Sequence, residues 1–275
     1  HVTCGKCYQC RIGEQEVCQD QKILGISTDG IFAEYVKIPA KNLWIVDYDR
    51  IRPEMCALFD PFGNAVHALS KVDMKGARVA IFGCGQIGLF SVSLARQFGA
   101  AKIIAVDINP DNIDMAKKLG AHEGILIEKK DKEHAYDHDP EVVAEIMKYT
   151  YGKGVDVSME MAGFNSSLNN CISTTRFGGD VILFGIKDGN FIIPKFSDIV
   201  IKGITMHSII GRQIFRTWQI GQRVLSDKTN GVQKNIWDIV MRGGDETVIP
   251  LSEFTPELME ERMAKYPKLV FDMQS

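Results

Sequence analysis

No stretch of this sequence is apolar for long enough to cross a bilayer, which excludes a helical membrane span. Neither sign of charge is in excess: 32 Lys and Arg stand against 35 Asp and Glu, a net charge of −3. That balance leaves no basic footprint for nucleic acid or an anionic membrane. The opening residues, HVTCGKCYQC, lack the apolar core that a secretory signal needs. The seven cysteines are an odd number, which argues against a complete disulfide framework. Together these absences imply a reducing, cytoplasmic setting. What is there is ordinary: 45% hydrophobic and 24% charged residues in a chain of 275, enough for one large or two modest domains.

Four of the cysteines fall close together, in CGKCYQCRIGEQEVC. Cys4, Cys7, Cys10 and Cys18 follow the spacing C-x2-C-x2-C-x7-C. Cysteines three apart on a turning loop converge on one point, and the fourth closes a tetrahedron. Thiolates so placed suit zinc in a closed structural site, with no open position for chemistry. The rival, a ferredoxin-type cluster, expects C-x3-C-P at the end of the run, and here the gap is longer and no proline follows Cys18. Gly5 and Gly13 give the loop its backbone freedom.

A second stretch, KGARVAIFGCGQIGLFSVSLARQFGAAKIIAVDIN, spans residues 75–109. Arg78 to Phe82 has strand character. Gly83, Gly85 and Gly88 supply G-x-G-x-x-G, and Leu89, Val92, Leu94, Ala95 and Phe98 then recur at helical spacing as far as Gly99. Lys102 to Val106 reads as the next strand, ending on Asp107. A glycine turn between a strand and a helix is the dinucleotide-binding arrangement. Gly83 allows the turn, Gly85 lets backbone approach a pyrophosphate, and Gly88 lets helix and strand pack closely. The helix N-terminus faces the phosphates. Asp107, nineteen residues beyond Gly88, is placed to accept both ribose hydroxyls. Ile108 and Asn109 follow it, with no arginine for a 2′-phosphate, so NAD is expected rather than NADP.

Strands and helices keep alternating as far as ITMHSII, which predicts an α/β fold: a doubly wound parallel sheet with helices on both faces. KKDKEHAYDHD reads as an exposed charged loop. The expected division is a partial catalytic domain with the zinc loop at 1–61, a nucleotide-binding Rossmann domain at 62–211, and a return to the catalytic domain at 212–275. The last part opens with two helical stretches, RQIFRTWQIGQRVL and VQKNIWDIVM.

A four-cysteine loop upstream of a Rossmann unit resembles the medium-chain zinc-dependent dehydrogenases, whose catalytic domain is GroES-like. FDPFGNAVHALS (59–70) and GRQIFRTW (211–218) are most similar to the threonine-oxidising members of that family. The resemblance covers nearly the whole chain. It implies hydride transfer from a secondary alcohol to NAD, with threonine going to 2-amino-3-oxobutanoate. Polyol or butanediol oxidation, or a non-catalytic NAD-binding module, are the alternatives.

In that family the catalytic zinc is held by a cysteine and a His-Glu pair that precede the structural zinc loop. His1 stands three residues before Cys4, so the expectation is a dehydrogenase without that segment, inactive as it stands. By position, the resemblance gives Asp60 a role beside the catalytic metal, as proton relay, support or direct ligand; the competing reading is a cap for the helix beginning at Pro61. His67 reads as a core histidine. The resemblance also implies cofactor contacts at Ile87, at Phe184, Gly185 and Ile186 closing the fifth strand, and at Ile209 and Ile210 ending the next. Asn112 stands where the family often has arginine, which removes an adenosine-side contact. Finally, the apolar segment FIIP (191–194) is expected to be an edge strand that pairs with its two-fold mate, giving a homodimer or homotetramer.

Overall fold

A computed structural model describes residues 1–128, 133–187 and 189–273. Six strands form one parallel sheet: β1 (Arg78–Phe82), β2 (Lys102–Asp107), β3 (Glu123–Leu126), β4 (Val155–Glu160), β5 (Thr175–Leu183) and β6 (Thr205–Ser208). Their spatial order is β3-β2-β1-β4-β5-β6. Two short strands, β7 (Val248–Pro250) and β8 (Val270–Asp272), form a separate parallel pair.

Helices α1 (Tyr8–Arg11), α2 (Pro53–Cys56) and α3 (Phe59–Leu69) precede the sheet. Helices α4 (Gln86–Gln97), α5 (Pro110–Leu119), α6 (Pro140–Tyr149), α7 (Asn165–Thr174) and α8 (Phe196–Ile201) cross between its strands. Helices α9 (Arg216–Ser226), α10 (Val232–Asn235) and α11 (Pro256–Lys265) follow. The expected doubly wound α/β fold is therefore present, and its strand order reverses between β1 and β4. A crevice opens at that point, along the carboxyl ends of the strands, where such sheets receive ligands.

The strands form because both their faces are covered. Val79 to Phe82 and Ile103 to Val106 are buried without a break, as a parallel sheet under two helical layers demands. Alternate residues feed different cores. Val79, Ile81, Ile103 and Ala105 pack with Leu89 and Val92 of α4 and with Phe62 and Val66 of α3. Ala80, Phe82, Ile104 and Val106 pack on the other side, with Ile146 of α6 and Leu168 and Ile172 of α7. Helix α3 joins the sheet to the rest of the chain. Phe62, 1% exposed, meets Phe90 of α4 edge-on at 5.6 Å, and Phe59 meets Trp218 of α9 at 6.2 Å.

Several boundaries differ from the sequence reading. β5 stops at Leu183, so Phe184, Gly185 and Ile186 lie in the loop beyond it rather than closing it. Ile209 and Ile210 likewise follow β6. Helix α9 starts at Arg216, leaving Arg212 to Phe215 outside it, where Arg212, Ile214 and Phe215 line a cavity. Of the charged loop KKDKEHAYDHD, residues 129–132 lie outside the described residues. FIIP is no strand in this chain, and β6 is the sheet edge. The reason is local: the Asn165 amide donates to Ile192 O at 2.8 Å and accepts from Ile192 N at 2.7 Å, holding the segment on α7 instead of in a ladder.

Replacing Phe62 with alanine should cost about 3–5 kcal/mol, the usual range for a fully buried phenylalanine. Urea denaturation would show it, and a loss below about 1 kcal/mol would mean that α3 is not part of the sheet's core.

Candidate active site and metal centre

The crevice holds a cleft of about 840 Å³ lined by Gly83, Gly85, Asp107, Ile108, Asn112, Ala162 and Phe164, among others. Its geometry follows from missing side chains. A Cβ on Gly88 would lie 2.0 Å from the carbonyl oxygen of Gly83, so only glycine lets α4 start this close to β1. Gly83 itself has φ +96°, and a Cβ there would meet Ala162 at 2.9 Å. Gly85, by contrast, has nothing within 4 Å of its Cβ position: that side is open to the cleft. The first turn of α4 thus offers its free N–H groups and the positive end of its dipole to whatever fills the space.

Asp107 stands at the end of β2 and is 8% exposed. One carboxylate oxygen accepts from Cys84 N and the other from Asn109 N at 2.8 Å. These bonds span the glycine turn and fix the carboxylate at the cleft wall, with lone pairs still free to accept hydroxyl donors. Of the sequence-predicted cofactor residues, Gly83, Gly85 and Asp107 line the cleft, and Gly88 lies beneath it. Ile87 packs partly into the core, and Ile209 is buried. Phe184, Gly185, Ile186, Ile209 and Ile210 sit outside this cleft, past the carboxyl ends of β5 and β6, with Ile186 83% and Ile210 44% exposed.

The four clustered cysteines do converge. All four sulfurs lie within 4.8 Å of one another, close to the ~3.8 Å edge of a tetrahedral zinc–thiolate site. None is in a disulfide. Backbone N–H groups point at the sulfurs: Cys7 N is 3.3 Å from Cys4 Sγ, and Cys4 N is 3.4 Å from Cys18 Sγ. Such donors draw the Cys4 and Cys7 thiols below their ordinary pKa, while burial pushes Cys10 up. The donor set is all sulfur, and four thiolates leave no ligand position open. Among the described residues, no other group of three or more His, Cys, Asp or Glu side chains is placed to hold a metal.

Asp60 lies in a second cavity, of about 740 Å³, walled by Trp44, Phe59, Phe215 and Trp218. It is not a helix cap: α3 starts one residue before it, at Phe59, and has no side-chain cap. Instead Asp60 Oδ2 is 2.7 Å from Arg212 Nη2. Arg212 is 9% exposed, and burial pushes its guanidinium below its usual pKa while Asp60 opposes the shift. Burial acts likewise on the partly buried Lys268, which also feels Asp60. His67 faces away from this cavity's charges: it is 2% exposed, its Nδ1 lies 3.0 Å from Gly211 O, and burial lowers its pKa. The sequence reading missed Arg212 and Lys268. Arg212 stood in GRQIFRTW, already noted for its resemblance, yet its partner is on a helix far away in the chain.

Elemental analysis of the purified chain should find one zinc, and Cys10→Ser should abolish it while leaving the sheet folded by far-ultraviolet circular dichroism. Iron in place of zinc, or a disulfide among these cysteines under reducing conditions, would refute the assignment.

Residues 87–226 match the zinc-binding dehydrogenase family, and residues 1–48 match the alcohol dehydrogenase GroES-like domain. The L-threonine 3-dehydrogenase of Bacillus licheniformis is 36% identical over 219 residues, which is 80% of this chain and 60% of that protein. The L-threonine 3-dehydrogenase of Caldanaerobacter subterraneus subsp. tengcongensis is 34% identical over 254 residues, 92% of this chain and 68% of its own. Among solved structures, an alcohol dehydrogenase from Thermus sp. ATN1 superposes with a TM-score of 0.82 at 23% identity, over 99% of this chain and 75% of that one. The chain spans about 60% of the length of several of the curated relatives it matches. It belongs to the medium-chain, zinc-binding dehydrogenases of the alcohol dehydrogenase family.

Proposed function

We propose that this chain serves an NAD-dependent oxidation of a secondary alcohol, with L-threonine as substrate and 2-amino-3-oxobutanoate as product. The observation that carries the cofactor choice is Asp107, held at the cleft wall by Cys84 N and Asn109 N. A fixed anion accepts the two ribose hydroxyls of NAD and repels the 2′-phosphate of NADP. Ile108, 60% exposed beside it, brings no compensating cation.

For the substrate, the Asp60–Arg212 pair supports an amino acid over a diol. The pair sits in a cavity with aromatic walls and satisfies itself when alone. A zwitterion can replace each partner, carboxylate on Arg212 and ammonium on Asp60. A neutral diol brings neither charge and gains nothing ionic from the pair, which stays closed on itself. This disfavours the polyol and butanediol readings. A catalytic zinc, where a ligand set held one, would polarise the alcohol oxygen and lower its pKa. Around Asp60 the described residues gather no such ligand set. What the chain itself supplies is cofactor placement at Asp107 and the glycine turn, substrate orientation at Asp60 and Arg212, and water exclusion by the aromatic walls.

We also propose a homodimer or homotetramer through residues 191–194. Phe191 and Ile192 are 37% and 47% exposed, an apolar ridge next to the sheet edge. Ile192→Lys should reduce the assembly to monomers in light scattering; a wild type already monomeric at high concentration rules this interface out.

Two further outcomes are expected. Asp107→Gly combined with Ile108→Arg should weaken NADH and admit NADPH in fluorescence titrations; tighter NADPH binding by the unaltered chain would overturn the argument. In the NAD-loaded chain, Arg212→Leu should weaken threonine binding by about 30-fold or more in calorimetric titration and spare the binding of butane-2,3-diol. Equal losses on both substrates would leave Arg212 without a part in amino-acid recognition.

A further inference from the structure

One buried ionisable group has no part in the reading above. Glu160 ends β4, at the reversal of strand order, and is only 2% exposed. Burial pushes its carboxyl above the usual range. Among the described residues no cation pairs with it. Its closest partners are backbone amides: one oxygen, Oε1, accepts from both Ala162 N at 3.0 Å and Gly163 N at 2.8 Å, and the Ser167 hydroxyl and Phe164 amide also favour its ionised form. Its main-chain carbonyl accepts from Phe184 N at 3.0 Å and Gly185 N at 3.1 Å. A single residue thus ties the loop after β4 to the loop after β5.

The packing leaves these loops no slack. A Cβ on Gly185 would lie 2.1 Å from Gly163 N and 2.5 Å from Glu160 Oε2. A Cβ on Gly163 would lie 2.7 Å from Ile186 O. Ala162 in turn is the residue that a side chain on Gly83 would strike, at 2.9 Å. The three loops that leave β1, β4 and β5 therefore interlock around the Glu160 carboxylate. Two of the residues it steers, Ala162 and Phe164, line the same cleft as Asp107, Ile108 and Asn112.

We propose that Glu160 is the positioning residue of the cofactor cleft. It holds the loop 161–164 as a wall of the cleft that Asp107 also lines, so that a dinucleotide finds its adenosine slot already formed. The inference rests on the cofactor reading of that cleft. Burying a carboxylate without a cation is costly. The return is two fixed amides and two interlocked loops at the one place where the sheet receives a ligand. Both of these amides use the same oxygen, so a neutral carbonyl in that position meets the need of these two donors.

The test uses NADH binding by fluorescence titration, together with amide hydrogen exchange. Glu160→Ala should weaken NADH about tenfold or more, the consequence of two buried amides losing their acceptor. Glu160→Gln should restore affinity to within about threefold of wild type. In the wild-type chain without nucleotide, the Ala162 and Gly163 amides should exchange slowly, and this arm decides the geometry even if Glu160→Ala fails to fold. Wild-type affinity in Glu160→Ala, failure of Glu160→Gln to restore binding, or wild-type amides exchanging as fast as free loop amides would each overturn the inference. A wild type that binds no nicotinamide dinucleotide overturns the cofactor reading instead, and with it the positioning role; slow amides would then mark Glu160 as a structural tie alone.

Discussion

The close approach of helix α4 to strand β1 is the constraint on which the rest of this site depends. At Gly88 the space for a side chain is taken by the carbonyl oxygen of Gly83, 2.0 Å from where a Cβ would be. Only that contact brings the helix N-terminus over the crevice between β1 and β4. The open side of Gly85, the pinned carboxylate of Asp107 and the wall at Ala162 are arranged around it. A bulkier turn would displace the dipole from the ligand and unseat Ala162 at the same time. Cofactor geometry and core packing are here the same set of contacts.

Much of this was legible in the sequence, because local patterns encode it. Runs such as Val79–Phe82 and Ile103–Val106 can only be strands buried on both faces, and the glycines between strand and helix fix the turn. The cysteine spacing was equally plain, since four thiols within one short loop need little help from the rest of the chain to converge. What the sequence hid was set by distant partners. Asp60 looked like a cap or a metal neighbour, and its ion pair with Arg212 depends on α3 and the segment before α9 meeting in space. FIIP looked like an edge strand because its composition is that of one. Two asparagines of α7 instead bond the Ile192 backbone. Glu160 gave no signal, being one acid at the end of an otherwise ordinary strand.

The two charged features of the molecule work in opposite ways. The thiolate cluster is closed and belongs to structure, with every sulfur turned to a common point. The Asp60–Arg212 pair is half open, and in the proposed function it serves recognition: Asp60 keeps half of its side chain in solvent, while Arg212 is held at 11%. Burial depresses Arg212, so the cavity carries a cation whose solvation is incomplete. Such a cation favours an anionic group that arrives with the ligand. An amino acid meets this condition and a neutral alcohol does not. The aromatic walls add a dry surface against which the ligand's methyl group can pack.

The central claim is that the Gly83–Gly88 turn and Asp107 form one dinucleotide site. A crystal structure of the chain with NADH tests it most directly. The account predicts both adenosine ribose hydroxyls on the Asp107 carboxylate and the pyrophosphate against the N–H groups of the first turn of α4. A dinucleotide bound elsewhere, or one whose ribose lies away from Asp107, would contradict it.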